Sequence, residues 1–209
     1  AVICEIMNDD GSMARLGDLT KFCSKHKINI GSIEELIRWR VRNDPIVKLK
    51  YSNILISKKS GKFKFFCYSN AIDGTEHFAL VKGNINSKTT SLVRVQKLNY
   101  ILDLFGGNFS SNKNSYDTSI EKIMLEMEKN KQGVLVIIKD NKNLFEANDK
   151  QNGTFNSENQ EFREYGVGAQ ILRDLGVRNM ILLTNSKKAI IGLEGFDLKI
   201  VDHKELNYE

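Results

Sequence analysis

No cysteine follows Cys67 in this 209-residue chain, and only three occur at all: Cys4, Cys23 and Cys67. An odd, widely spaced set forms neither a disulfide framework nor a Cys-x-x-Cys metal pair. Cys4 and Cys67 fall in apolar, strand-like runs and read as small core residues. A reducing, cytoplasmic compartment fits. His26, His77 and His203 are equally scattered and give no metal pattern. Proline is missing except for Pro45. No run of about 18 apolar residues exists, which excludes a membrane-spanning helix. The opening run Ala1-Val2-Ile3-Cys4-Glu5-Ile6 has no charged leader, so it is not a signal peptide. Without an initiator Met it reads as a chain cut inside a larger protein. Basic residues do not cluster with aromatics. The net charge of +5 is therefore assigned to solvated lysine-rich faces, and a nucleic-acid partner is not expected.

What is present is a hydrophobic content of 41%, enough for one large domain or a smaller one with an appendage. Val2 to Ile6 reads as a buried strand ending at the turn Asn8-Asp9-Asp10-Gly11. A helix from about Asp18 to Lys25 and a short strand Ile28 to Ile30 follow. Ser32-Ile33-Glu34-Glu35 is a capping box that opens a second helix. Asp44-Pro45 breaks it, which sets a boundary between segments 1–43 and 44–209. Beyond it, Tyr51 to Ser57 and Lys62 to Tyr68 read as a hairpin around Lys58-Lys59-Ser60-Gly61. Strands are expected at His77 to Lys82, Ser91 to Val95, Val134 to Ile138, Met180 to Leu183 and Leu198 to Val201. A capping box at Thr118 to Glu121 opens a helix that Gly133 ends, and Glu164 to Leu175 forms a helix closed by Gly176. Asn108 to Asn114 and Asn141 to Asn159 read as loops. Strands first, then strands alternating with helices, predict a mixed α/β (α+β) fold.

Two segments carry a resemblance. Gly74-Thr75-Glu76-His77-Phe78-Ala79-Leu80-Val81-Lys82-Gly83 is one; Arg163-Glu164-Tyr165-Gly166-Val167-Gly168-Ala169-Gln170-Ile171-Leu172-Arg173-Asp174-Leu175-Gly176-Val177, followed by Leu182-Leu183-Thr184-Asn185, is the other. Both resemble signature segments of GTP cyclohydrolase II, which opens the guanine ring in riboflavin biosynthesis. The run Ile3 to Arg15 resembles the C-terminal part of 3,4-dihydroxy-2-butanone 4-phosphate synthase, which bacteria often fuse ahead of that cyclohydrolase in one bifunctional protein.

The resemblance implies site residues, and some are missing. The family's three zinc cysteines have no counterpart: Arg94-Val95 continues as Gln96-Lys97-Leu98-Asn99, and the Cys-x-Cys position falls in Asn108 to Asn114. Hydroxyl and amide groups replace thiolate poorly on zinc. The Glu-Gly-Arg-Gly segment is replaced by Lys139-Asp140-Asn141-Lys142-Asn143. Arg163, with Glu161 standing in for an aspartate, matches the catalytic nucleophile and proton acceptor, here read as vestigial. Arg94 and Thr184 match GTP contacts. Glu5 matches a synthase residue that contacts ribulose 5-phosphate, and a carboxylate in an apolar strand would be unusual without a site role. The synthase's magnesium ligands would lie upstream, so no cofactor is expected in this chain.

The implied function is the C-terminal portion of a bifunctional riboflavin-biosynthesis protein whose cyclohydrolase domain has lost its zinc site. The intact protein would convert ribulose 5-phosphate to 3,4-dihydroxy-2-butanone 4-phosphate and formate, and this chain alone would be inactive. Two alternatives stay open: a divergent GTP cyclohydrolase II that hydrolyses GTP, and a regulatory module holding a nucleotide or phosphate weakly. Both families are dimeric, which implies a homodimer.

Overall fold

A computed structural model describes residues 2–98, 100, 103, 119–139, 157–185 and 193–206, with backbone alone at 42 and 157–164. Among them are four α-helices and one seven-stranded sheet. Helices α1 (Leu16–His26) and α2 (Ile33–Asn43) come first. The capping box at α2 forms as the sequence dictates: Glu35 N donates to Ser32 Oγ at 3.1 Å, and Ser32 N donates to the Glu35 carboxylate at 3.2 Å. Then follow β1 (Val47–Ser57), β2 (Gly61–Asn70), β3 (Glu76–Lys82), β4 (Thr90–Lys97), α3 (Ile120–Asn130), β5 (Gly133–Ile138), α4 (Ser157–Asp174), β6 (Asn179–Leu183), the 3-10 turn Leu193–Phe196 and β7 (Lys199–Lys204).

The sheet order is β1-β2-β3-β5-β4-β6-β7. The first four strands pair antiparallel, while β5, β4, β6 and β7 run parallel. Strand β5 is buried at every position, as an unbroken apolar run in the middle of a covered sheet should be. One face, with Ala79, Val93, Val134 and Val136, packs under Val167, Ile171 and Leu172 of α4. The opposite face, with Leu80, Leu92, Leu135 and Leu183, packs under Ile123, Met124 and Met127 of α3.

Several expectations are corrected. Val2 to Ile6 is not a buried strand: Val2 is 97% and Ile3 95% exposed, and the segment's ladder contact is the bridge Met7–Met13. Every strand of the sheet comes from residue 47 onward, and among the described residues no strand lies beside this apolar run. Cys4 is exposed for the same reason, whereas Cys67 is buried on β2. Ile28 to Ile30 is likewise no strand. The cap of α3 is Ser119, whose hydroxyl accepts from Lys122 N, and its end is set by Lys131 in the left-handed region (φ 56°). Gly133 instead opens β5. Helix α4 begins earlier than Glu164, so 157–159 is helix rather than loop. The other expected loop residues, 108–114 and 141–156, lie outside the described residues. No described helix is long and apolar enough to cross a membrane.

Candidate functional site

Parallel strands bring their carboxyl ends to one edge, where open α/β sheets place ligands. Here β4, β5, β6 and β7 end together at Lys97, Ile138, Leu183 and Lys204, and β3, antiparallel to β5, begins there at Glu76. The edge carries Arg94, Gln96 and Lys97 on β4, Lys139 after β5, and Thr184 and Asn185 after β6.

The sheet brings the backbones of two expected residues, Arg94 and Thr184, close to each other. Arg94 Nη1 donates to the carbonyl of Leu183 at 2.9 Å, and its Nε donates to Gln96 Oε1 at 3.4 Å. Leu183 precedes Thr184, whose amide donates to Lys204 O at 3.0 Å. Arg94 therefore ties the ends of β4 and β6. By strand alternation it shares the α3 face with Leu92, and Thr184 takes the opposite face from Leu183. Glu161 and Arg163 lie on α4, with side chains outside the described residues. Glu5 stands apart. It is exposed, outside any strand, and among the described residues joins no ion pair. The buried carboxylate that argued for a site role is thus not found.

His77 was missed. It is the second residue of β3, within the Gly74 to Gly83 segment, and is only 3% exposed. Its Nδ1 accepts from Lys139 N at 3.2 Å, leaving Nε2 as the protonated nitrogen, buried without a partner. Burial holds His77 below the usual imidazole range, opposed by the negative charge of Asp73. Its place inside a motif was the available signal. Two further polar anchors position α4: Gln170 Oε1 accepts from Ile46 N at 2.9 Å, and Tyr68 Oη donates to Asp174 at 2.6 Å. Burial raises the Tyr68 phenol far above its ordinary value, and the Asp174 bond adds to it.

Catalytic zinc needs about three protein ligands. The edge offers one imidazole with Nδ1 already engaged, together with arginine, lysine, amide and hydroxyl groups. Cys67 lies on β2 opposite Phe78, and Cys4 and Cys23 belong to the segment before β1. Among the described residues no three His, Cys, Asp or Glu side chains group together. Positions 99 and 108–114, where the resemblance places the thiolates, lie outside the described residues, and the described residues of this edge do not fit a zinc site. They suit an anion better, since guanidinium and ammonium groups bind phosphate oxygens with charge-assisted hydrogen bonds.

A cleft of about 300 Å³ lies elsewhere, where Val41 and Pro45 meet Gln170, Arg173 and Arg178. Its arginines each hold a partner: Arg173 Nη2 meets Asp197 at 3.0 Å, although Arg173 Nη1 is buried without one among the described residues, and Arg178 Nη1 donates to the carbonyls of Arg173 and Val177. It is a joint between α2 and α4.

Residues 50–205 match the GTP cyclohydrolase II family and residues 1–39 the 3,4-dihydroxy-2-butanone 4-phosphate synthase family. The chloroplastic bifunctional riboflavin biosynthesis protein RIBA 1 of Arabidopsis thaliana is 36% identical over 215 residues, covering 96% of this chain and 39% of its own length. The chloroplastic monofunctional riboflavin biosynthesis protein RIBA 2 of the same plant is 37% identical over 209 residues, covering 96% and 42%. Among solved structures, RibBX of A. baumannii, a two domain 3,4-dihydroxy-2-butanone 4-phosphate synthase, superposes with a TM-score of 0.55 at 30% identity, covering 96% of this chain and 53% of that one. The chain thus spans between 39% and 53% of the length of these proteins.

Proposed function

The chain belongs to the GTP cyclohydrolase II family, with a short synthase piece ahead of it, and from that premise we propose that it serves riboflavin biosynthesis without opening GTP. On this reading segment 44–209 is a cyclohydrolase domain that has lost its zinc site, and segment 1–43 is the tail of the synthase. The intact cytoplasmic protein converts ribulose 5-phosphate to 3,4-dihydroxy-2-butanone 4-phosphate and formate, with Glu5 contacting substrate and magnesium held by the synthase part. The protein works as a homodimer. One observation carries the reading: no cysteine follows Cys67, so every position where the family places a zinc thiolate holds another residue. A two-domain relative named for the synthase activity alone is in keeping with this reading.

Without metal-activated water, opening of the imidazole ring lacks its nucleophile at neutral pH. The purified chain is expected to hold no stoichiometric zinc and to release no formate from GTP. About one zinc per chain, with formate above the enzyme-free control, overturns the proposal and restores the divergent hydrolase.

A second reading has its own support in the cationic edge around Arg94, Lys97, Lys139 and Thr184. A phosphate-bearing nucleotide would be held there mainly by charge, with Arg163 adding to it, and would bind weakly and without preference for guanine. Calorimetry with GTP and ATP at two salt concentrations tests it. Heat with neither nucleotide removes this reading.

A further inference from the structure

The two outer strands of the sheet differ. β7 carries Lys199, Asp202, His203 and Lys204, the kind of charge that normally blunts an open edge. β1 does not. Every residue from Lys48 to Ile56 is exposed. Leu49 is 51%, Tyr51 53%, Ile54 54% and Ile56 70% exposed, and Leu55 joins them. From Tyr51 to Ile56 the strand has no charged residue and no proline.

The apolar residues lie on both faces. Beyond the bulge between Leu49 and Tyr51, Leu55 stands opposite Phe63, and Tyr51 meets Phe65 at 6.5 Å between ring centroids. Phe65 in turn meets Phe78 at 5.6 Å, so a half-exposed aromatic strip crosses three strands. Ile54 and Ile56 point to the other face, opposite Lys64 and Lys62. A helix or a flat protein surface laid on this hairpin would cover one face and leave the other wet. A strand added at the open edge gives cross-strand neighbours on both faces at once.

We propose that β1 pairs antiparallel with β1 of a second copy of this chain, joining two seven-stranded sheets across a two-fold axis. The proposal rests on the homodimer reading given above and supplies its interface. Antiparallel pairing of a strand with its own copy is self-complementary and closes after two subunits. A register centred on Asn53 sets Leu55 against the partner's Tyr51 on the aromatic face. It also sets the two Asn53 residues opposite each other without a ladder bond. Of the nearby lysines, Lys50 is tied to Glu76 at 2.7 Å and Lys59 to Glu121 at 2.6 Å, whereas Lys48 and Lys58 at the two ends of the paired stretch are cations that the pairing must accommodate. Pairing covers the flanks of these five apolar side chains together with the strand backbone, which places the interface at the small end of the specific range, at about 1,200 Å².

Sedimentation equilibrium of the whole chain should give a dimer. Asn53→Cys, in a Cys4→Ser, Cys23→Ser background, should form a disulfide dimer under mild oxidation, since opposed residues in such a pair lie about 4.5 Å apart between Cα atoms. Ile54→Lys should weaken the dimer at least tenfold with an unchanged far-UV spectrum, while Leu36→Lys on α2 leaves it intact. If Ile54→Lys does not fold, the Asn53→Cys cross-link still decides. A wild-type monomer at all concentrations overturns both the homodimer and this interface. A wild-type dimer in which Asn53→Cys does not cross-link overturns the interface alone and leaves the homodimer standing on another face.

Discussion

His77 is the residue at which motif, burial and charge meet. Its imidazole is held neutral by burial, against the pull of Asp73. The unfolded chain therefore takes up the proton at a higher pH than the native one. Stability from this group is fully present above about pH 6.5, the unfolded value, and is lost as pH falls through the lower native value. Glu76, Glu126 and Glu128 are held below the usual carboxylate range by hydrogen bonds from Lys50, Lys204 and Lys131, so their contributions are lost only in more acidic solution. Between pH 7 and 5.5 the urea midpoint of the native chain should fall, whereas His77→Gln, whose amide oxygen can still accept from Lys139, should stay level. Equal slopes would assign the titration to another group. His77→Ala should cost about 1–3 kcal/mol at pH 7, because it strands the Lys139 amide.

At the scale of elements, the Gly74 to Gly83 segment shows what a retained motif does. Gly83 ends β3 at φ +74°, and a Cβ there would sit 2.6 Å from the carbonyl oxygen of Lys131. Gly83→Ala should therefore destabilise the chain by roughly 2–3 kcal/mol, combining left-handed strain with a backbone clash. A chemical denaturation midpoint unchanged from wild type would mean that the turn after α3 can move aside. Elements whose cause is local were legible in the sequence. The Ser32 and Glu35 cap lies within four residues, and β5 announces itself as an unbroken apolar run. Elements whose cause is distant were not. Val2 to Ile6 looks like a strand, but a strand needs neighbours, and among the described residues none pairs with it. The start of α4 is polar and carries no period to read. The candidate site divides the same way. The proposed loss of the zinc thiolates is read residue by residue from the sequence, but the meeting of Arg94 with the end of β6 depends on a pairing 89 positions apart. The hydrogen bond that fixes His77 comes from an amide 62 positions away.

At the scale of the whole molecule, the question is how the synthase piece is fastened to the sheet domain. The fastening is compact. Asp197, in the left-handed region at φ 56°, lies 3.0 Å from Arg173 Nη2 on α4 and 3.7 Å from Arg38 Nε on α2. Beside it Ile37 packs so closely on Gly195 that an added Cβ would meet its Cγ2 at 3.0 Å. Arg173 is the buried member, with 16% of its side chain exposed, while Arg38 and Asp197 are more open. Removing the shared carboxylate leaves a largely buried guanidinium without its acid, but solvent around Asp197 screens part of the loss, so Asp197→Ala should cost roughly 1–2 kcal/mol. Arg38→Ala should cost less than about 1 kcal/mol, as for other exposed pairs. The larger consequence is local. Because both cores belong to the sheet and its helices α3 and α4, Asp197→Ala should free α2 while the sheet keeps its own packing. Limited proteolysis between residues 40 and 47 should then speed up severalfold, with cleavage in β5 unchanged. Uniform acceleration across the chain would show instead that the two segments unfold as one unit and that Asp197 stabilises the whole rather than the joint.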